Sequence, residues 1–262
     1  MRGMLIYTNL ITAVSAGILS AGILHASAVT DDYLYPFFVL SAVLTVYNAQ
    51  RLYKALFSDH QTDWLEWVRK YSCQMRLVTS FFALVCFVIG LYCIPFSIDN
   101  AIILLFGALL CTFYVMPISG FTLRQIPVLK NAIVAMVWTM ILVIVPLNNS
   151  APTEQIALFV LYFFSLTLPF DIRDIHLDKN HIVTLPHLLG ANSTRALGVV
   201  CISIFYVLFP LINSEYLSNI AYWLSGVFAA AMILSSSPKR TNIYLSLNDL
   251  SMSLFGVALM AQ

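Results

Sequence analysis

The sequence predicts an all-α membrane protein of nine transmembrane helices in a bundle, with a cytoplasmic N-terminus and the C-terminus on the opposite side. Three observations predict it. First, 60% of the 262 residues are hydrophobic and only 10% are charged, whereas soluble domains carry about 25% charged residues. A mean hydropathy of +0.88 leaves too few polar groups to cover a water-facing surface. Second, the chain divides into nine apolar runs, at 4–26, 33–57, 76–96, 99–117, 128–147, 153–172, 193–213, 216–236 and 242–261. Each is near the ~20 residues that cross the hydrocarbon core as a helix. Third, Lys and Arg gather at alternate connections, as they do in short cytoplasmic loops. Only short loops remain between the runs, so the chain reads as one polytopic domain over residues 1–262. The same composition excludes a disordered chain and a disulfide scaffold. A net charge of +1 offers no field to a phosphate backbone, so membrane lipids are expected as partners and nucleic acid is not.

Taken in order, the elements carry the alternation. The first run follows Arg2 and is too long, and too poor in small cleavage-site residues, to be a removed signal peptide. The second follows Asp31 and Asp32 and ends with Arg51 and Lys54. The third begins beside Arg69, Lys70 and Arg76, and the fourth opens on Asp99. Arg124 and Lys130 lead into the fifth, and Glu154 opens the sixth. Arg173, Lys179 and Arg195 mark the connection from the sixth to the seventh, Glu215 precedes the eighth, and Lys239 and Arg240 precede the ninth. All thirteen cations thus share the side of the N-terminus, and a miscounted span would break that pattern. The five cysteines, at 73, 86, 93, 111 and 201, show no CxxC or Cys/His spacing and read as small apolar fillers. The expected location is integral and multi-pass, in a bacterial inner membrane.

Chemistry concentrates in the two longest cytoplasmic connections. In the first of them, Asp63 is followed three residues later by Glu66, which predicts a capping box opening a short helix over 64–71. Its Trp64, Trp67, Arg69 and Lys70 suit a helix at the headgroup level, a membrane-surface anchor. In the second, Asp171, Asp174 and Asp178 stand at i, i+3 and i+7 and share one face of a helix continuing from span 6. Three carboxylates in a row repel one another, and a hard divalent cation removes that penalty. Mg²⁺ takes one or two carboxylates plus substrate phosphates, so a Mg²⁺ site is expected here. The other reading is a solvated helix end whose row is neutralised by Arg173 and Lys179. His176, His181 and His187 lack the spacing of a zinc pair and read as polar loop histidines. Asp249, beside Asn248 and inside the ninth run, is an intramembrane carboxylate. Acceptor binding, proton transfer and helix packing all stay open for it.

The string DIRDIHLDKNHIVTLPHLLG resembles the second aspartate-rich motif of the UbiA-type intramembrane prenyltransferases, D-x-x-D-x-x-x-D followed by a Thr-Leu-Pro stretch. Nine helices, a cytoplasmic N-terminus and motifs in connections 2–3 and 6–7 are also similar to that family. So are Tyr114 closing span 4 and Lys130 and Trp138 opening span 5. One part departs. The family's first motif, N-D-x-x-D-x-x-x-D, would start at Asn48. The Asn is present, but the three Asp positions hold Ala49, Leu52 and Leu56.

The resemblance implies Mg²⁺-dependent prenyl transfer from an isoprenoid diphosphate donor to a small aromatic or lipid acceptor, at a cavity facing the cytoplasm. Asp171, Asp174 and Asp178 would be catalytic and hold the metal on the diphosphate, stabilising the charge that develops as it leaves. Aromatic faces would steady the allylic cation. Asn48, Arg51, Lys54, Tyr114, Lys130 and Arg173 would bind substrate. Asn48, Arg51 and Lys54 lie at i, i+3 and i+6, so Arg51 and Lys54 offer a cationic substitute for the missing carboxylates, Arg by forked contacts and Lys as a point charge. They also fit as positive-inside anchors.

Two further function classes compete with the enzyme. One is an altered family member that binds an isoprenoid or a partner protein without transfer. The other is a small transporter, disfavoured because the sequence shows no internal repeat or paired interrupted helices. The D-G-x-x-A-R signature of phosphatidyl-alcohol transferases is absent.

Overall fold

A computed structural model describes residues 7–29, 33–57, 62–94, 97–117, 122–148, 150–178, 182–239 and 242–261. Readings that rest on Arg2, Asp31, Asp32, Lys179, His181, Arg240 or the Asp178 side chain lie outside the described residues. Within them the chain is helical and each of the nine apolar runs carries a helix: α1 (Leu10–Ala26), α2 (Tyr35–Phe57), α4 (Ser72–Cys93), α5 (Ile98–Phe113), α6 (Leu129–Thr139), α7 (Thr153–Asp178), α9 (Ala191–Ile212), α10 (Ile220–Leu234) and α11 (Asn242–Met260). Two shorter helices, α3 (Asp63–Lys70) and α8 (Leu185–Leu189), lie in the two long connections. By length and apolarity, α4, α9 and residues 153–176 of α7 are sufficient to cross a membrane; α1, α5, residues 129–144, α10 and residues 246–260 of α11 are apolar but shorter. The outer faces of α4 and α5 bear out the membrane reading. Phe81, Leu84, Phe87 and Leu91, with Ile102 and Leu105, are all exposed, a surface that only lipid solvates at low free energy.

Local chemistry sets the helix ends. Ser97 caps α5 by accepting from the Asn100 amide at 3.1 Å, and Asp99 lies in the first turn, where the helix dipole favours an acid. Asn219 caps α10 in the same way through the Tyr222 amide. The capping box expected at Asp63 does not form. Thr62 is the residue before the helix, and Asp63 and Glu66 both lie in the first turn, where they act on the dipole. Nor is α3 only a surface anchor, because its Leu65 and Val68 are buried with Ala55 at the end of α2. A box does form at α8, between Thr184 and His187. There the His187 ring contacts the Thr184 hydroxyl at 2.9 Å and the Ile175 carbonyl at 2.7 Å. His187 thereby ties the Thr-Leu-Pro stretch to the end of α7.

The fifth run is not one uniform helix. After Thr139 it widens into a π turn, Met140–Ile144, with the Val145 amide bonded back to the Met140 carbonyl. The next residue is Pro146, which has no N–H to offer. The Ile141 carbonyl instead accepts the Tyr35 hydroxyl of α2 at 2.6 Å.

Helices α1 and α11 pack together most extensively, followed by α2 with α4 and α7 with α9. At the α1–α11 crossing a Cβ on Gly22 would lie 2.4 Å from the Gly256 carbonyl, and one on Gly256 would lie 2.6 Å from the Ile18 carbonyl. The backbones therefore touch, which only glycine permits. Most aromatic residues of the core, including Phe159, Tyr162, Phe205, Phe209, Tyr222 and Phe255, stack in one cluster between α7, α9, α10 and α11, with centroid separations of 4.8 Å and above. That cluster is packing.

Candidate active site

A cavity of about 1390 Å³ opens inside the bundle, walled by α1, α2, α5, α6, α7 and α11. Its polarity runs in one direction along four of its walls. On α2 the lining passes from Phe38 and Val43 to Arg51 and Lys54, and on α5 from Ile103 and Leu104 to Tyr114. On α6 it passes the other way, from Lys130 and Asn131 to Met140 and Ile141, and on α7 from Phe163 to Asp171 and Asp174. Antiparallel neighbours thus place their charged ends together and their apolar ends together.

Asp171 is the most buried charged residue among those described, 1% exposed. Lys130 Nζ lies 2.6 Å from its Oδ1, and Asn131 donates to its Oδ2 at 3.1 Å. Asn131 also reaches the Thr167 hydroxyl at 2.8 Å, one turn before Asp171 on α7. Pro169 lies inside that helix without ending it, so Asp171 and Asp174 remain a turn apart. Asp174 is gripped by its neighbour Arg173 through two bonds, at 2.6 and 2.7 Å, and lines the same cavity with it. The reading of Arg173 as the neutraliser of the acidic row therefore holds for Asp174, while Lys130 from another helix neutralises Asp171.

On the opposite wall, Arg51 donates to the Tyr7 carbonyl at 2.5 Å and stands over the Trp64 ring at 5.8 Å. Such a cation–π contact helps to hold the guanidinium at the wall. Asn48 is fully buried. Its side-chain oxygen accepts from Asn9 at 3.1 Å, and it is Asn9 that lines the cavity. Of the residues singled out from sequence, the structure brings Arg51, Lys54, Tyr114, Lys130, Asp171, Arg173 and Asp174 to one cavity and sets Asn48 behind its wall. Asp249 also lines it, its Oδ2 accepting from Thr12 at 2.5 Å.

Several lining residues escaped the sequence. Tyr47 and Phe163 flank Trp138, which the sequence had singled out, in an aromatic band between the charged and apolar ends, with centroids 6.3 and 5.9 Å apart. Asn131 escaped too, although an Asn next to Lys130 inside an apolar run is itself a signal of an interior polar contact.

Asp171 and Asp174 supply hard oxygen donors of the kind Mg²⁺ takes. Among the described residues no three His, Cys, Asp or Glu side chains gather into a metal site. The donor set fits one cation completed by phosphate oxygens, and the Arg51–Lys54 wall adds no carboxylate to hold a second.

No family model matches the chain, and no curated protein matches it. Solved structures do. A UbiA homologue from Archaeoglobus fulgidus, solved bound to GPP and Mg²⁺, aligns over 99% of this chain and 98% of its own at 12% identity and a TM-score of 0.61. The form bound to DMAPP and Mg²⁺ aligns over 100% and 98% at 12% identity and 0.59. A digeranylgeranylglyceryl phosphate synthase aligns over 99% and 98% at 14% identity and 0.58. The chain has the fold of these UbiA-type proteins from end to end.

Proposed function

We propose that the protein is a Mg²⁺-dependent prenyltransferase acting on an isoprenoid diphosphate at the cytoplasmic end of the bundle. The observation that carries this reading is the polarity of the cavity, with cations and carboxylates at one end and apolar side chains at the other, which suits an anionic head on a hydrocarbon tail. Further support comes from the shared fold with proteins solved bound to GPP and DMAPP with Mg²⁺. The nine crossings and the cytoplasmic N-terminus read from the charge pattern belong to the same proposal.

Asp171 and Asp174, with Asp178 beyond them on α7, would hold Mg²⁺. When bound, the ion neutralises charge developing on the leaving diphosphate. Lys130 and Arg173 orient the two carboxylates, and Asn131 fixes the Asp171 rotamer. On the facing wall, Arg51 and Lys54 bind diphosphate oxygens directly where the family's first motif has carboxylates. Arg51 is held ready for that by Tyr7 and Trp64. Tyr114 closes the charged end, and Asn48 acts through Asn9. The band of Tyr47, Trp138 and Phe163 lies where the allylic carbon would sit, and its π faces steady positive charge there. The surrounding apolar walls keep water from quenching the cation. A nucleophilic acceptor, aromatic or lipid, then takes the prenyl group.

The test is incubation of purified protein with labelled farnesyl and geranylgeranyl diphosphates, with and without Mg²⁺. Metal-dependent release of diphosphate is expected, with Asp171→Ala and Asp174→Ala each lowering it at least a hundredfold. Tight binding with no release, whichever aromatic or lipid acceptor is added, would instead favour a binding protein built on the same fold.

A further inference from the structure

Resting on the donor reading above, we infer that Asp249 receives the second substrate: the acceptor carries an uncharged hydroxyl, phenolic or alcoholic, which donates to Asp249 Oδ1 and yields its proton there. Diphosphate and tail take up α2, α5, α6 and α7. Apart from Asn9, the wall made by α1 and α11 is left over. On it Thr12, Ser246, Asp249 and Met252 line the cavity, the last three at i, i+3 and i+6 along one face of α11. Asp249 comes seven residues after Asn242, the start of α11, or ~10 Å along the helix. At that level it interacts electrostatically with Arg51 and Tyr47, one turn apart on α2. Tyr47 belongs to the aromatic band where the allylic carbon would sit, so a group held by Asp249 is beside the reacting centre.

Packing does not account for the carboxylate. Asp249 is 8% exposed. Among the described residues it has one hydrogen bond, from Thr12 to Oδ2, and no ion pair. Oδ1 takes none. Asp171 and Asp174, by contrast, are each held by a cation. Other side chains join α11 to its neighbours: Asn248 donates to the Leu166 carbonyl at 3.1 Å and Ser253 to Ser15 at 2.9 Å. An intramembrane carboxylate left half-satisfied at a cavity points to a donor on a ligand. A carboxylate or phosphate on the acceptor would meet like charge there, so the group is a neutral O–H.

The step balances. The bond from the allylic carbon to the diphosphate oxygen breaks, and its electron pair leaves on the diphosphate. The new bond to that carbon takes an electron pair from the hydroxyl oxygen or, in a phenol, from the ring carbon which that oxygen feeds. The hydroxyl proton passes to Asp249 Oδ1 and goes on to water when the product leaves.

The test incubates the full-length chain in nanodiscs with Mg²⁺, labelled geranyl diphosphate and a hydroxyl probe, either naphthol or an alkylglycerol. Each probe is paired with its O-methyl ether and with a carboxylated counterpart. Prenylated product is expected from one hydroxyl probe, at least tenfold above its ether and its carboxylate, and the probe that works tells phenol from alcohol. Asp249→Asn keeps an oxygen for Thr12. It should raise KM for that probe about 10–100-fold, the value of a hydrogen bond to a charged group, and lower kcat, while affinity for geranyl diphosphate does not fall. Asp249→Glu should restore part of the loss. Thr12→Val, which releases Oδ2, should also raise KM, so the inference stays testable if Asp249→Asn fails to fold. Use of the ether as readily as the hydroxyl, or unchanged kcat and KM in these variants, would return Asp249 to helix packing. Metal-dependent release of diphosphate with transfer to neither hydroxyl probe would overturn the inference and leave the donor reading standing. Absence of geranyl diphosphate binding would remove the donor reading itself and the acceptor site with it.

Discussion

Asp171 gathers groups from two helices around a carboxylate removed from solvent, and its pairing sets a sharp expectation at the level of single residues. Taking away one member of a buried ion pair strands the other charge at ~3–5 kcal/mol, while replacing both by apolar groups is often neutral. Lys130→Met should therefore lower the unfolding temperature in detergent, and Lys130→Met combined with Asp171→Leu should recover most of the loss. Equal destabilisation by the single and double variants would show that the pair is not stabilising the bundle. Across the cavity, Arg51→Ala should weaken diphosphate binding about 10–100-fold, the value of a charge-assisted contact worth ~1.5–3 kcal/mol. Arg51→Lys should lose less, and titration with inorganic diphosphate reads both. The charged residues of the site were legible in sequence because charge is scarce in this chain and each instance needs a reason. Their pairing was not. Lys130 and Asp171 are far apart in the chain, and no local pattern says which helix faces which. Tyr47 and Phe163 of the aromatic band were hidden for the opposite reason, since aromatics are abundant here and most of them only pack.

At the scale of the element, each apolar run read from hydropathy carries a helix among the described residues, because a run of apolar residues has few other ways to satisfy its backbone in lipid. It did not reveal the π turn at Met140–Ile144, which arises from Pro146 and a hydroxyl more than a hundred residues away. It also misplaced the cap of α3, where Thr62 precedes the helix and Asp63 joins the first turn. Two expectations belong to elements. Overpacking a tight contact costs ~1–3 kcal/mol, so Gly256→Val should destabilise the α1–α11 crossing by at least that much, read as a lowered unfolding temperature. Loss of a helix cap costs ~1 kcal/mol. His187→Ala, which releases both Thr184 and the Ile175 carbonyl, should accordingly raise hydrogen exchange over residues 172–178 while α9 stays protected. Uniform exchange across both segments would show that the box does not anchor the end of α7.

For the molecule as a whole, the polar and apolar halves of the cavity follow from alternating helix direction. On the proposed topology the cations share one membrane surface, and among the described residues Arg51, Lys54, Lys130 and Arg173 do gather at one cavity. The sidedness itself can be measured. Cys73 is exposed beside the start of α4, and Tyr33 is exposed just before α2. A membrane-impermeant maleimide should label Cys73 only after the cytoplasmic face is opened and a Tyr33→Cys variant in intact cells. The reverse pattern would invert the proposed topology.

The meeting of α1 with α11 has a consequence in time. Thr12 and Asp249 are separated by 237 positions, so at ~5–20 residues per second the earlier helix leaves the ribosome on the order of 10–50 s before its main partner. Throughout that interval Thr12, Ser15 and the flat glycine surface of α1 face lipid or a chaperone with nothing to dock against. The α11 wall of the cavity, with Ser246, Asp249 and Met252, is missing until that helix arrives. A nascent chain halted before Asn242 therefore offers quality control an unsealed bundle with its polar seam in view.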